Sequence, residues 1–265
     1  MKIGFIGLGN MATAIIGGIL KKGLATSADI CGSAKTAATC EKVHEFFGIE
    51  TCTDNTKIAE KADVLVLAVK PIFFPEVLNE IKALVRPETV IVSIAAGKSL
   101  AFIEEGLDNP KAKIVRCMPN TPALVGEGCT GVCANQNVTP DELYAVLNLM
   151  RSFGVAEMVP ERLMDTVVGV SGSSPAYVFM FIEAMADGAV AAGMPRKQAY
   201  QFAAQAVLGS AKMVLETGLH PGELKDMVCS PGGTTIQAVK VLEEQGFRGA
   251  VMDAMEACIE KSKQL

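Results

Sequence analysis

Gly7-Leu8-Gly9-Asn10-Met11-Ala12 fits the pattern G-x-G-x-x-G/A. Alone, that spacing is a glycine-rich turn. Here it follows a short apolar run, Lys2 to Ile6, and opens a helical pattern at residue 10. In that setting each position has a task. Gly7 permits a tight turn, Gly9 lets backbone approach a pyrophosphate, and Ala12 keeps helix and sheet close. The helix start adds amide donors and a partial positive charge. The spacing predicts a dinucleotide site. A second segment, Ser230-Pro231-Gly232-Gly233-Thr234-Thr235, also stands before a helical pattern. Amides at a helix start, flanked by hydroxyls, form either an anion cradle suited to a carboxylate or an ordinary capped turn.

Other candidates sit where strands should end. At the end of the second strand an NAD enzyme usually carries Asp or Glu for the ribose 2′-hydroxyl. The chain reads Gly32-Ser33-Ala34-Lys35 there. With no carboxylate, a hydroxyl at Ser33 and a charge at Lys35, the reading is NADPH, with NADH possible. A solvated surface lysine is the alternative for Lys35. Asp54-Asn55-Thr56 is a loop after a third strand, and Ala68-Val69-Lys70-Pro71 ends a fourth. Met118-Pro119-Asn120-Thr121-Pro122 follows a later strand. The carboxyl ends of parallel strands face the ligand crevice. Lys70 and Asn120 are therefore candidates to reach it, against a solvated lysine and a rigid turn.

Only two histidines are present, His44 and His220. His44 reads as surface and His220 as a loop residue. That number removes most zinc sites and most His-based triads, and no metal site is expected. The eight cysteines form no C-x-x-C pair. They read as small buried hydrophobes in a reducing cytosol, with a disulfide framework the alternative.

The positioning elements follow from periodicity. Apolar runs at 2–6, 29–31, 63–69, 89–95 and 113–117 alternate with helical patterns such as 10–22 and 36–47. That alternation implies βαβ units and an open parallel sheet. Thr139-Pro140-Asp141-Glu142 is a capping box opening a helix that Gly154 follows. After about residue 160, Ala-rich helices take over. They are read at 174–192, 195–218, 234–244 and 246–263. The first of these carries few polar residues on any face, so a partner subunit is a natural cover for it.

Half the residues are hydrophobic and a fifth charged, enough for a sizeable core. A net charge of −5, no Trp and 5% aromatic residues argue against nucleic-acid binding. Residues 3–20 carry no charge, but five glycines and Asn10 interrupt them. The expectation is a soluble, cytoplasmic protein with no targeting or membrane segment.

Over essentially its whole length the chain resembles the pyrroline-5-carboxylate reductases. The resemblance rests on GFIGLGNMA at the start, LAVKP at 67–71, SIAAG at 93–97 and RCMPNTP at 116–122. VSGSSPAY at 170–177 and LKDMVCSPGGTTIQAVKVLE at 224–243 complete it. It implies an α/β fold: an N-terminal Rossmann-type parallel-sheet domain, 1–160, then an all-α dimerisation domain, 161–265. It implies NAD(P)H-dependent reduction of 1-pyrroline-5-carboxylate to L-proline by a homodimer, in some members built into decamers. Carried over by motif, Ile6, Gly7, Leu8, Gly9, Asn10 and Met11 hold the pyrophosphate, and Ser33 lies by the adenosine ribose. Asn55, Ala68, Val69, Lys70 and Pro71 also contact cofactor, and Ile94, Ala95 and Ala96 flank the nicotinamide. Ser230, Gly233, Thr234 and Thr235 line the substrate site, with Thr235 as hydrogen-bond partner of the ring nitrogen. A β-hydroxyacid dehydrogenase is disfavoured, because such enzymes carry a lysine on the first long C-terminal helix and residues 175–192 hold no Lys or Arg. A related cyclic imine acid as substrate, or a non-catalytic NADPH-binding regulator, are the other readings.

Overall fold

A computed structural model describes residues 1–264. Two compact units divide it: Met1–Ser173 with the segment beginning at Cys258, and Ser174–Ala257.

The first unit is built on one eight-stranded sheet of order β3-β2-β1-β4-β5-β6-β7-β8. Its strands are β1 Ile3–Ile6, β2 Ile30–Ser33, β3 Glu50–Cys52, β4 Val64–Leu67, β5 Val90–Ser93, β6 Lys113–Met118, β7 Gly128–Ala134 and β8 Gly154–Met158. All neighbours pair in parallel except β6 and β7. Helices α1 Asn10–Lys21, α2 Ala37–Phe47, α3 Asn55–Lys61, α4 Phe74–Ile81, α5 Leu100–Gly106 and α6 Pro140–Arg151 connect them.

The apolar runs are continuous because both faces of the sheet are covered. Side chains alternate between two cores. Phe5, Val64, Val66 and Val92 join Ile15, Ile16 and Ile19 of α1 and Leu149 and Met150 of α6. Ile6, Leu65, Leu67 and Ile91 face the other way, onto Ile58 of α3, Leu78 and Ile81 of α4 and Ile103 of α5. The capping box of α6 forms as its sequence predicts: Thr139 Oγ1 accepts from Glu142 N and Glu142 Oε2 accepts from Thr139 N.

Strands β7 and β8 lie outside the apolar runs of the sequence. β7 reads Gly-Cys-Thr-Gly-Val-Cys-Ala, with no period to detect. Its glycines serve packing: a Cβ on Gly131 would come within 2.9 Å of Val167. The helix predicted to start at Ser174-Pro175 does start there, and further helical turns precede it. α7, Met164–Val167, leads into a π-helical turn over Val168–Gly172 and then α8, Ser174–Ala191. The first unit also includes the end of the last helix, α12 (Phe247–Ser262). Ser262 Oγ donates to Asp165 Oδ1 at 2.7 Å, and Cys258 Sγ donates to Ser173 Oγ at 3.2 Å.

The second unit is helical: α8, α9 Arg196–Thr217, α10 Pro221–Val228, α11 Thr234–Glu244 and most of α12. Within it α8 packs against α9. Much apolar surface stays uncovered, including Phe179, Met180, Phe202 and Leu215, from 62% to 83% exposed. One helical run, Glu161–Ala191, is long and apolar enough to cross a membrane by length and composition.

Candidate functional site

The strand order reverses between β1 and β4, the place where such sheets open a ligand crevice. Gly7 leaves β1 there. Its φ is +96°, and a Cβ would sit 2.7 Å from the carbonyl oxygen of Ala68, just past β4. Only glycine combines that backbone with that approach. Gly9 then caps α1 without any side-chain hydrogen bond. By contrast α2, α3, α5 and α6 are capped by Thr36, Asp54, Ser99 and Thr139. The first amides of α1 therefore remain open donors. A Cβ on Gly9 would meet nothing within 4 Å. Gly9 and Asn10 are exposed, Met11 is half-buried, and Ile6 and Leu8 lie in the core below. A cavity of about 920 Å³ touches Leu8, Gly9 and Asn10 but runs along the flank of α1 toward Phe46, Val125 and Phe153, away from Ser33, Asn55 and Ala68. Open amides, free space and close backbone approach suit a pyrophosphate, so the loop fits a dinucleotide.

The end of β2 is more elaborate than its sequence. Ser33 is fully buried, and its hydroxyl donates to Asn55 Oδ1 at 2.7 Å. Asn55, first residue of α3, turns its Nδ2 to Glu80 Oε2 on α4, also 2.7 Å away. Lys35 is exposed, with its amine 5.5 Å from the Phe73 ring centroid. Sequence reasoning missed Glu80. Its one available signal is position: a carboxylate in the last turn of α4, where the helix dipole disfavours it.

Past β4, Ala68 and Val69 are half-buried and Lys70 is exposed, with Pro71 starting a short turn to Phe73. Past β5, Ile94 and Ala96 are half-buried while Ala95 is buried. These segments lie beside the glycine loop: Ala68 N donates to Ile6 O, and Ile94 N to Leu67 O. Asn120 has different work. It is buried, its Oδ1 accepts from Cys129 N at 2.8 Å, and its Nδ2 donates to Ser171 O at 3.0 Å. Both ends of the amide tie the turn after β6 to β7 and to the π-helical turn.

The thiols nearby are quiet. Burial, reinforced by the Glu161 charge, pushes Cys133 up to about 11. Burial drives Cys117 up further. All eight cysteines are free, and no group of three potential metal ligands occurs among the described residues.

In the second unit, Gly233 caps α11, again without a side-chain hydrogen bond. The amides of Thr234 and Thr235 stand first in that helix with no side chain to satisfy them. Gly232 turns the loop at φ +68°, and Gly233 N donates to Ser230 O at 3.0 Å. A Cβ on Gly233 would collide with Ser230 Oγ at 2.4 Å. Ser230 and Thr234 are exposed and Thr235 is half-buried. His220 caps α10, its Nδ1 accepting from Gly222 N at 3.0 Å. His44 is exposed, with Nδ1 2.8 Å from Ile49 O. Both histidines thus have local structural roles.

Comparison with known proteins bears on this arrangement. Residues 161–265 match the family described as pyrroline-5-carboxylate reductase dimerisation. Residues 2–97 match the family described as coenzyme F420-dependent NADP oxidoreductase. The pyrroline-5-carboxylate reductase of Escherichia coli is 55% identical over 264 residues, covering 100% of this chain and 98% of that one. A solved pyrroline-5-carboxylate reductase from Coxiella burnetii superposes with a TM-score of 0.92 at 36% identity, covering 99% of this chain and 97% of that one. A pyrroline carboxylate reductase from Plasmodium falciparum, solved with NADP bound, gives 0.89 at 34% identity, covering 100% and 97%.

Proposed function

Because the chain belongs to the pyrroline-5-carboxylate reductase family, we propose that it reduces 1-pyrroline-5-carboxylate to L-proline with NAD(P)H, the last step of proline synthesis. The observation that carries this reading is the pair of glycine-capped helix starts. One offers open amides where a pyrophosphate belongs, the other where a carboxylate belongs.

NAD(P)H supplies the hydride when bound. The chain holds it through the backbone of Gly7, Leu8, Gly9, Asn10 and Met11. Asn55, Ala68, Val69, Lys70 and Pro71 contact it further on, and Ile94, Ala95 and Ala96 border the nicotinamide end. Asn120 supports this crevice by holding its backbone, and Lys35 attracts a 2′-phosphate. Ser230, Gly233, Thr234 and Thr235 hold the substrate, the amides of Thr234 and Thr235 taking its carboxylate. Thr235 meets the ring nitrogen.

Few acid–base groups are needed. Reducing a carbonyl generates an alkoxide that wants a proton. A protonated cyclic imine already carries its proton, and hydride addition gives a neutral amine directly. Positioning and charge complementarity then carry the reaction. This fits two histidines already engaged as structural caps and contacts.

The division 1–160 for the dinucleotide and 161–265 for substrate and dimerisation belongs to the same reading. A partner subunit, in a dimer or in a decamer of five dimers, covers Phe179, Met180, Phe202 and Leu215. That burial accounts for the apolar Glu161–Ala191 run without a bilayer, in a cytoplasmic enzyme.

The test follows loss of reduced-cofactor absorbance with purified protein and 1-pyrroline-5-carboxylate. A six-membered cyclic imine acid serves as one control, and a 3-hydroxyacid with NADP⁺ as the other. Oxidation with the five-membered ring, giving proline, is the expected outcome. Tight NADPH binding without turnover would overturn it. Thr235→Ala should cut turnover about tenfold or more while cofactor affinity stays within about twofold, the pattern of a lost transition-state contact.

A further inference from the structure

The second strand ends without a carboxylate in sequence, yet the fold delivers one to that end. Glu80 of α4 is exposed and has a single hydrogen-bond partner among the described residues, Asn55 Nδ2 at 2.7 Å. An ionised carboxylate has only acceptors. It therefore compels Asn55 to turn its nitrogen toward α4 and its oxygen toward Ser33. The reversed amide would set oxygen against carboxylate. Ser33 must then donate, which places its one proton on Asn55 Oδ1. One N–H of Asn55 Nδ2 is left for a ligand. The chain Ser33–Asn55–Glu80 is thus fixed from its charged end, and that charge lies two hydrogen bonds from the last residue of β2.

That end of β2 is where such folds discriminate a ribose 2′-hydroxyl from a 2′-phosphate. We infer that Glu80 is a cofactor-selecting positioning residue: it orients the Asn55 amide and holds a negative charge at the adenosine end that weakens binding of a 2′-phosphorylated dinucleotide. Lys35 acts in the opposite sense, and the balance of the two sets the ratio between the cofactors. This inference rests on the dinucleotide reading of the glycine loop and on no property of the substrate site.

The experiment measures dissociation constants of NADPH and NADH for the full chain by calorimetry, since the chain has no Trp for energy transfer to the cofactor. Glu80→Gln removes the charge and keeps the size. The NADPH constant should fall about threefold to fivefold, as for one exposed charge contact, while that of NADH moves within about twofold. The gain should shrink as salt rises, because interactions between exposed charges are screened, over about 10 Å at 0.1 M. Glu80→Asp, which keeps the charge, should retain the discrimination. Glu80 is exposed, and a matching melting temperature confirms that the variants fold. Equal shifts for both cofactors, an unchanged ratio, or Gln and Asp variants that behave alike would overturn the inference. An unmodified protein that binds neither cofactor would overturn the functional reading with it. Binding without turnover of the imine would overturn that reading alone, and the variant ratio would still decide Glu80.

Discussion

At the scale of single residues, the site depends on what is missing as much as on what is present. Gly7 lacks the Cβ that would strike Ala68, and it adopts φ +96°. Gly7→Ala should destabilise the first unit by about 2 kcal/mol and weaken dinucleotide binding together with it. Thermal unfolding beside a cofactor titration checks both, and a variant as stable as its parent would refute the strain. The glycine spacing was legible because its geometry is local. Asn120 was not, since strand-end position cannot reveal that Cys129 N and Ser171 O claim both ends of its amide. Glu80 was hidden for the same reason: its partner lies 25 residues upstream, joined by the packing of α3 against α4.

Elements differ in how far they announce themselves. β4 and β5 are runs of apolar residues buried on both faces, so pattern and environment agree. α6 is spelled out by its capping box. β7 has no such pattern, because pairing with β6 and β8 orders it rather than its own side chains. α8 starts at Ser174 as its Ser-Pro pair predicts, but the π-helical turn over Val168–Gly172 just before it has no signal in the sequence. The edge where β1 and β4 begin is pinned by Asp63. Its Oδ2 accepts from Lys2 N at 2.7 Å and its Oδ1 from Arg86 Nη2 at 2.7 Å. The Lys2 amide first, then the Arg86 guanidinium, hold its carboxyl below the usual carboxylate range. A folded value below the unfolded one of about 3.9 gives stability present above that pH and lost as pH falls through the folded value. The side chain is 45% exposed, so solvent screens the effect. Asp63→Asn should cost about 0.5 kcal/mol at neutral pH, with the difference closing below about pH 4 in parallel denaturant titrations. A difference independent of pH would refute the assignment.

For the whole molecule, oligomerisation is a condition of stability rather than an addition to it. A helical unit that leaves Phe179, Phe202 and Leu215 mostly exposed needs a partner to bury them. Phe179→Lys should shift sedimentation from dimer toward monomer and lower activity and melting temperature together, most strongly in dilute solution. A variant that remains dimeric would place the interface elsewhere. The helical domain was foreseen from the Ala-rich patterns after residue 160 and its need for a partner from its apolar first helix, but the return of the chain to its first unit was not. Ser262 bonds Asp165 and Cys258 bonds Ser173 across some 90 positions, a pairing no local pattern encodes. That return orders events during synthesis. The ribosome adds about 5–20 residues per second, and early domains ordinarily fold while later ones emerge. Here the nucleotide-binding half must wait for the last turns of α12 to leave the exit tunnel before its boundary closes. A nascent chain stalled before Cys258 would carry an unfinished first unit, open to proteases and holdase chaperones.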